Sequence, residues 1–181
     1  MGMRQLNRRD LLAGSAAMAL LPGSVFAAGN DFFRLGLAEP AFEIEPKLDL
    51  PDLDGTVHTL ADYSGKILLV SFWATWCPPC RKEMPGLARL NRELGPEGFA
   101  VLAVNVGDRQ DRIEGFLDEI DHDGLTVLMD TDKAMPSTWF LRGLPVTYVL
   151  DGTGKVTLAA IGDRVWDSVE MISALRSLKT A

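Results

Sequence analysis

Cysteine is scarce in this chain: 181 residues hold two, Cys77 and Cys80, both inside the stretch WCPPC. One available pair cannot make a scaffold stapled by several bridges around a small core. A bridge between these two encloses only two residues, and stabilisation by a cross-link grows with the loop it closes. Histidine is as scarce, and His58 and His122 are far apart in sequence, so a four-ligand structural zinc site lacks donors. Arg81 follows Cys80 where haem attachment requires histidine. Lysine and arginine do not cluster beyond the extreme N-terminus and the formal charge is −7, which leaves no basic surface for a phosphate backbone. No nucleic-acid partner is expected. The N-terminal apolar stretch, Leu11 to Leu21, is 11 residues long, short of the about 20 that cross a hydrocarbon core. Repeats and low-complexity tracts are absent too. What is present, 47% hydrophobic residues over this length, suits one folded domain.

The N-terminus reads as an address. Arg4, Arg8 and Arg9 precede the apolar stretch, and the small residues of SVFAAG follow it. The adjacent arginines of NRRDLLA resemble a twin-arginine export signal. Cleavage is expected after Ala27. Removing residues 1–27 takes three of 18 basic and one of 25 acidic side chains, leaving 15 and 24, a formal −9. The chain is expected in the periplasm, with an uncleaved signal as the route to membrane anchoring. Residues 28–40 read as a flexible leader and residues 41–181 as the folded domain.

Export leaves a redox dithiol as the reading of WCPPC, provided that a strand leads into it and a helix follows. KILLVSFW (66–73) is a nearly unbroken apolar run, as in a strand buried on both faces. RKEMPGLARLNREL (81–94) carries Met84, Leu87, Leu90 and Leu94 at helical spacing, stopped by Gly95-Pro96. Cys77 then sits at a helix N-terminus, where free N–H groups and the macrodipole favour thiolate over thiol. Cys80, one turn on, is placed to displace a partner from a mixed disulfide. Further along, 97–106 reads as a second central strand, 108–120 as an amphipathic helix and 125–130 as a third strand. Residues 132–141 read as a short irregular helix, 145–161 as a hairpin turning at Asp151, Gly152 and Gly154, and 166–178 as a closing helix. LDLPDLDGTVHTLADYSGK (48–66) reads as an N-terminal strand-and-turn addition. The order is that of an α/β domain with a mixed central sheet.

From about Phe42 onward the segments LPDLDGTVHTLADYSGK, VSFWATWCPPCRKEMP, VNVGD and GLPVTYVLDGTGKV resemble the TlpA/ResA-like branch of the thioredoxin superfamily. The resemblance implies a thioredoxin fold with an N-terminal strand addition and an inserted αβ element. It further implies exported thiol-disulfide exchange, with Cys77 attacking, Cys80 resolving and Pro145 in cis facing them. A cis Leu144–Pro145 bond would expose the Leu144 backbone to an extended partner segment. Trp76 reads as a cap on the sheet and as a partner contact, two readings that are compatible. Pro78 and Pro79 lack N–H groups, so within the turn only Cys80 can donate from its backbone to the Cys77 sulfur. A thiolate with fewer donors makes a better reductant. Thioredoxins carry a buried aspartate six residues before the first cysteine, and Ser71 stands there. The family instead tends to place a glutamate three residues after the second cysteine, where Glu83 stands. Glu83 reads as a proton acceptor for the second thiol or, more plainly, as a helix-end charge.

The implied activity is reduction of protein disulfides in apocytochrome c or in copper-enzyme assembly factors, recharged by a membrane-bound reductant. The chain is expected to act as a monomer without cofactor or metal. Two alternatives stand beside this: a Cu(I) carrier using Cys77 and Cys80 as soft ligands with Met84 nearby, and a general periplasmic disulfide oxidant.

Overall fold

In the computed structural model, which describes residues 27–180, the first described element is a helix, where a flexible leader is expected from sequence. Helix α1 spans Ala27–Arg34, and beyond it Phe32 and Leu37 are buried in the main core while Ala38 bridges to Ala159. The leader expectation is therefore corrected: residues 31–38 pack because two large apolar side chains among them find the sheet. The export signal expected at 1–27 lies outside the described residues except for Ala27.

The chain then crosses one face of the sheet as a strap. Ile44, Leu48 and Leu50 are buried along it, and the Trp139 indole donates to the Lys47 carbonyl at 2.8 Å. The strap ends in a small antiparallel pair, β1 (Asp49–Pro51) and β2 (Val57–Thr59), with Asp52 bridging to Leu128. This is the expected N-terminal addition. Asp52 Oδ2 and the Tyr63 hydroxyl lie 3.0 and 2.7 Å from the two ring nitrogens of His58, which ties the pair together.

Strand β3 (Ile67–Trp73) is buried at every position. It leads into α2 (Pro78–Leu94), β4 (Phe99–Val106), α3 (Gln110–Leu117), β5 (Thr126–Asp130), α4 (Met135–Thr138), β6 (Val146–Leu150), β7 (Val156–Ile161) and α5 (Val169–Ser177). The main sheet runs β5-β4-β3-β6-β7; β3 pairs in parallel with β4 and antiparallel with β6. Central strands covered on both faces explain the unbroken apolar runs of β3 and β4. Alternation along β3 sorts the core into two halves. Ile67, Leu69 and Trp73 face α2 and α5; Leu68, Val70 and Phe72 face the strap and α4.

Three helices start at residues other than those expected from periodicity, each for a local reason. Helix α2 starts earlier, because Pro78 and Pro79 fill its first two positions, where a missing N–H costs nothing. Helix α3 starts later, because the Asp108 carboxylate is drawn away to the Thr75 and Asn105 amides. Helix α5 begins only after Ser168, whose hydroxyl caps the Met171 N–H, since Trp166 is turned inward.

Candidate active site

Cys77 is the N-cap of α2, and its sulfur accepts from the Cys80 N–H at 3.3 Å. An N-cap side chain ordinarily collects the second or third helical N–H. Pro79 removes the second, so the sulfur has one backbone donor, as the sequence requires. Cys77 and Cys80 form a disulfide, S–S 2.00 Å, and both are buried. Around them, Trp76 is 66% exposed and Pro78 is exposed as well. Of the two readings of Trp76, the cap on the sheet is not what forms.

The residue before the motif is held from two sides. Asp108 Oδ2 accepts the Thr75 N–H at 2.6 Å, and Arg81, paired with Glu119, reaches the Thr75 carbonyl at 3.4 Å. Pro145 comes from the far half of the chain. Phe72 pairs with Val146, so Pro145 lies at the same end of the sheet as the loop leaving β3. The Leu144–Pro145 bond is cis, Pro145 is buried, and its carbonyl is occupied by the Gly162 N–H at 2.9 Å. Leu144 is half-buried against both halves of the core.

Glu83 lies one turn beyond Cys80, on the same face of α2, and is 3% exposed. A solvated helix-end charge is therefore excluded. Its Oε2 accepts the Trp166 indole N–H at 2.9 Å and the Arg164 backbone N–H at 3.1 Å; its Oε1 accepts the Ser71 hydroxyl at 3.4 Å. Thr147 in turn donates to the Ser71 oxygen at 3.0 Å. Burial pushes the carboxyl up to about 7, because desolvation outweighs these three donors, and Asp163 adds to the rise. The acid that Ser71 lacks is thus supplied from the helix, within hydrogen-bond reach of that serine. A group that gives up or takes a proton near neutral pH sits one turn from the second cysteine.

Trp166 and Arg164 were not legible as partners of Glu83. Trp166 reads from sequence as a packing residue, and it is fully buried; only the fold brings it 83 positions back to α2. Its indole is a donor with no acceptor role, which was the one available signal that it would seek a carboxylate.

Comparison with known proteins agrees with this geometry. The AhpC/TSA family profile matches residues 41–159. The thiol-disulfide oxidoreductase ResA of Geobacillus kaustophilus is 30% identical over 165 residues, covering 90% of this chain and 93% of that protein. The thiol:disulfide interchange protein HelX of Rhodobacter capsulatus is 33% identical over 135 residues, 74% of this chain and 72% of its own. Among solved structures, a Chlorobium tepidum protein assigned as the thiol:disulfide interchange protein DsbE superposes with a TM-score of 0.69 at 28% identity, covering 78% of this chain and 99% of its own. With a thioredoxin-like mixed sheet, a Cys-Pro-Pro-Cys disulfide at a helix N-terminus and these relatives, the chain belongs to the AhpC/TSA family and is a thiol-disulfide oxidoreductase of the ResA type.

Proposed function

We propose that the protein works outside the cytoplasm as a reductant of protein disulfides, serving apocytochrome c or the assembly factors of a copper enzyme. The observation that carries the direction is the single backbone donor on the Cys77 sulfur. A weakly stabilised thiolate gives its electrons up readily. In the reaction, the Cys77 thiolate attacks a client disulfide and one client thiolate leaves. Cys80 then passes its proton to the Glu83 carboxylate and attacks the Cys77 sulfur. The second client thiolate leaves, two electrons have moved to the client, and the Cys77–Cys80 disulfide remains for a membrane-bound reductant to reopen. Trp76 and Pro78, which are exposed on either side of Cys77, and the Leu144–Pro145 backbone at the same end of the sheet would receive the client as an extended segment.

Export is supported by the basic and apolar N-terminus. No helix among the described residues is long and apolar enough to cross a membrane. For the Cu(I)-carrier reading, Met84, the one further soft ligand near the motif in sequence, is fully buried in the core.

Equilibration with a glutathione buffer tests the direction. We expect a potential nearer about −270 mV than about −120 mV; a value at the oxidising end makes the protein a disulfide donor. Cys80→Ser tests the roles. With no resolving thiol, mixed disulfides on Cys77 should accumulate and appear on non-reducing gels of periplasmic extract. Client bands that depend on Cys80 but survive in a Cys77→Ser variant would refute the assignment of Cys77 as attacker.

A further inference from the structure

Arg164 carries a charge but forms no ion pair among the described residues. Its guanidinium is spent on backbone carbonyls: Nε and Nη2 on Gly36 at 3.3 and 2.9 Å, Nη1 on Asp163 at 2.7 Å, and Nη2 also on Ile161 at 3.0 Å. Three carbonyls from two distant segments thus converge on one side chain. Two of them belong to the end of β7 and the turn after it, and that turn presents the Arg164 N–H and the Trp166 indole to Glu83. The third belongs to the segment that follows α1.

Gly36 is built for this contact. Its φ of +75° favours glycine, and a Cβ added there would stand 2.4 Å from Arg164 Nε. The segment around it is anchored on both sides, by Phe32 and Leu37 in the core that also holds Cys77, Cys80 and Trp166, and by the Ala38–Ala159 bridge. Two of the three donors on Glu83 therefore depend on a turn whose shape is fastened to the N-terminal segment.

We propose that Arg164 and Gly36 are positioning residues for thiol exchange: their clasp holds the turn after β7 so that its donors reach Glu83, making the N-terminal segment part of the active-site support. This rests on the reading of Glu83 as proton acceptor. The other groups facing Glu83 leave the effect readable. Asp163 is paired with Lys82 at 2.9 Å, Asp167 is paired with Arg89 at 2.7 Å, and Ser71 and Thr147 are uncharged.

The test uses the mature chain. In the oxidised form the thiols are silent, and the carboxyl ¹³C resonance of Glu83, identified by its loss in Glu83→Gln, is titrated in wild type, Arg164→Ala and Gly36→Ala. Losing donors to the charged form must move the midpoint upward, by about one pH unit if one hydrogen bond to the carboxylate is lost. Gly55→Ala is the control, since Gly55 has a similar φ of +84° and open space around it. It should leave the midpoint unmoved. In the reduced form, disulfide exchange at pH 7 is compared with and without Glu83→Gln. Arg164→Ala should slow exchange about fivefold at pH 7 with Glu83 present, as the ionised fraction of a group titrating near 7 falls when its midpoint rises by about one unit, and have no effect in the Glu83→Gln background. An unmoved midpoint in both clasp variants overturns the proposal, as does equal slowing in the two backgrounds. If Glu83→Gln itself leaves exchange untouched, the proton-acceptor reading fails and the clasp loses its catalytic meaning, whatever the midpoints do.

Discussion

A glutamate that titrates near 7 inside a protein is a statement about stability as well as chemistry. Glu83 has an ordinary value of 4.5 and is raised to about 7 by burial. Below about pH 4.5 the folded and unfolded chains both hold the proton, and Glu83 costs nothing. As the pH rises from there the unfolded chain releases it while the folded chain retains it, so stability falls through the window up to about 7 and then levels off. The loss is on the order of 3 kcal/mol. Glu83→Gln removes this titration, and the Gln carbonyl oxygen can still accept from Trp166 and Arg164. Urea melts of the oxidised protein should therefore show the variant gaining on wild type between pH 5 and 8. A stability difference that stays constant with pH would remove the buried-carboxyl description. Other carboxylates move the opposite way, such as Asp52, which its hydrogen bond to His58 holds low, so the difference between the two proteins is the quantity to follow.

The relevant element is the first turn of α2. Cys77 is its N-cap, and the N–H groups at the second and third positions are the ones that reach a cap side chain. Pro79 deletes the second; Pro78, at the first, deletes a group that does not point there. The two prolines are thus chemically alike and functionally distinct. Pro79→Ala should add a second donor to the Cys77 thiolate. A hydrogen bond to a charged group is worth about 1.5–3 kcal/mol, so the Cys77 thiol should become more acidic by about one unit and the potential should rise by about 30 mV. Pro78→Ala should change either value much less. Alkylation rates against pH and glutathione equilibration measure both, and equal effects of the two substitutions would mean that helix geometry does not direct the donors.

For the whole molecule, the point at issue is where the folded unit begins. A chain starting at Ala41 retains every strand and the disulfide, yet loses Phe32, Leu37, the Ala38–Ala159 bridge and the Gly36 carbonyl under Arg164. Burying one such large apolar side chain contributes about 1.5–3 kcal/mol, so this truncation should lower unfolding stability by about 3–6 kcal/mol in a urea titration. A truncated protein as stable as the chain from Ala28 would return residues 31–38 to the status of a leader. The sheet edges also depend on these segments. Ala38 lies against β7 and Asp52 against β5, so each outer strand is partly covered by N-terminal chain, which limits edge-to-edge association.

The strands, the helix after the cysteines and the dithiol itself were determined by the sequence alone, because each is written in neighbouring residues. Ile67–Trp73 is apolar throughout, Met84, Leu87 and Leu90 recur at helical spacing, and Pro78-Pro79 deletes its N–H groups in any context. Glu83 was half legible: its place after Cys80 was visible, but a helix-end charge and a buried acid look the same in one dimension. Only the tertiary structure decided between them, by bringing Trp166, Arg164 and Ser71 around the carboxyl and closing it from water. The same holds for residues 31–38, where Phe32 and Leu37 are too few to show a period and are ordered by a surface that the rest of the chain provides. Local pattern determines which elements form. Desolvation and the partners of a buried charge are set by groups far apart in sequence, and only the folded chain contains them.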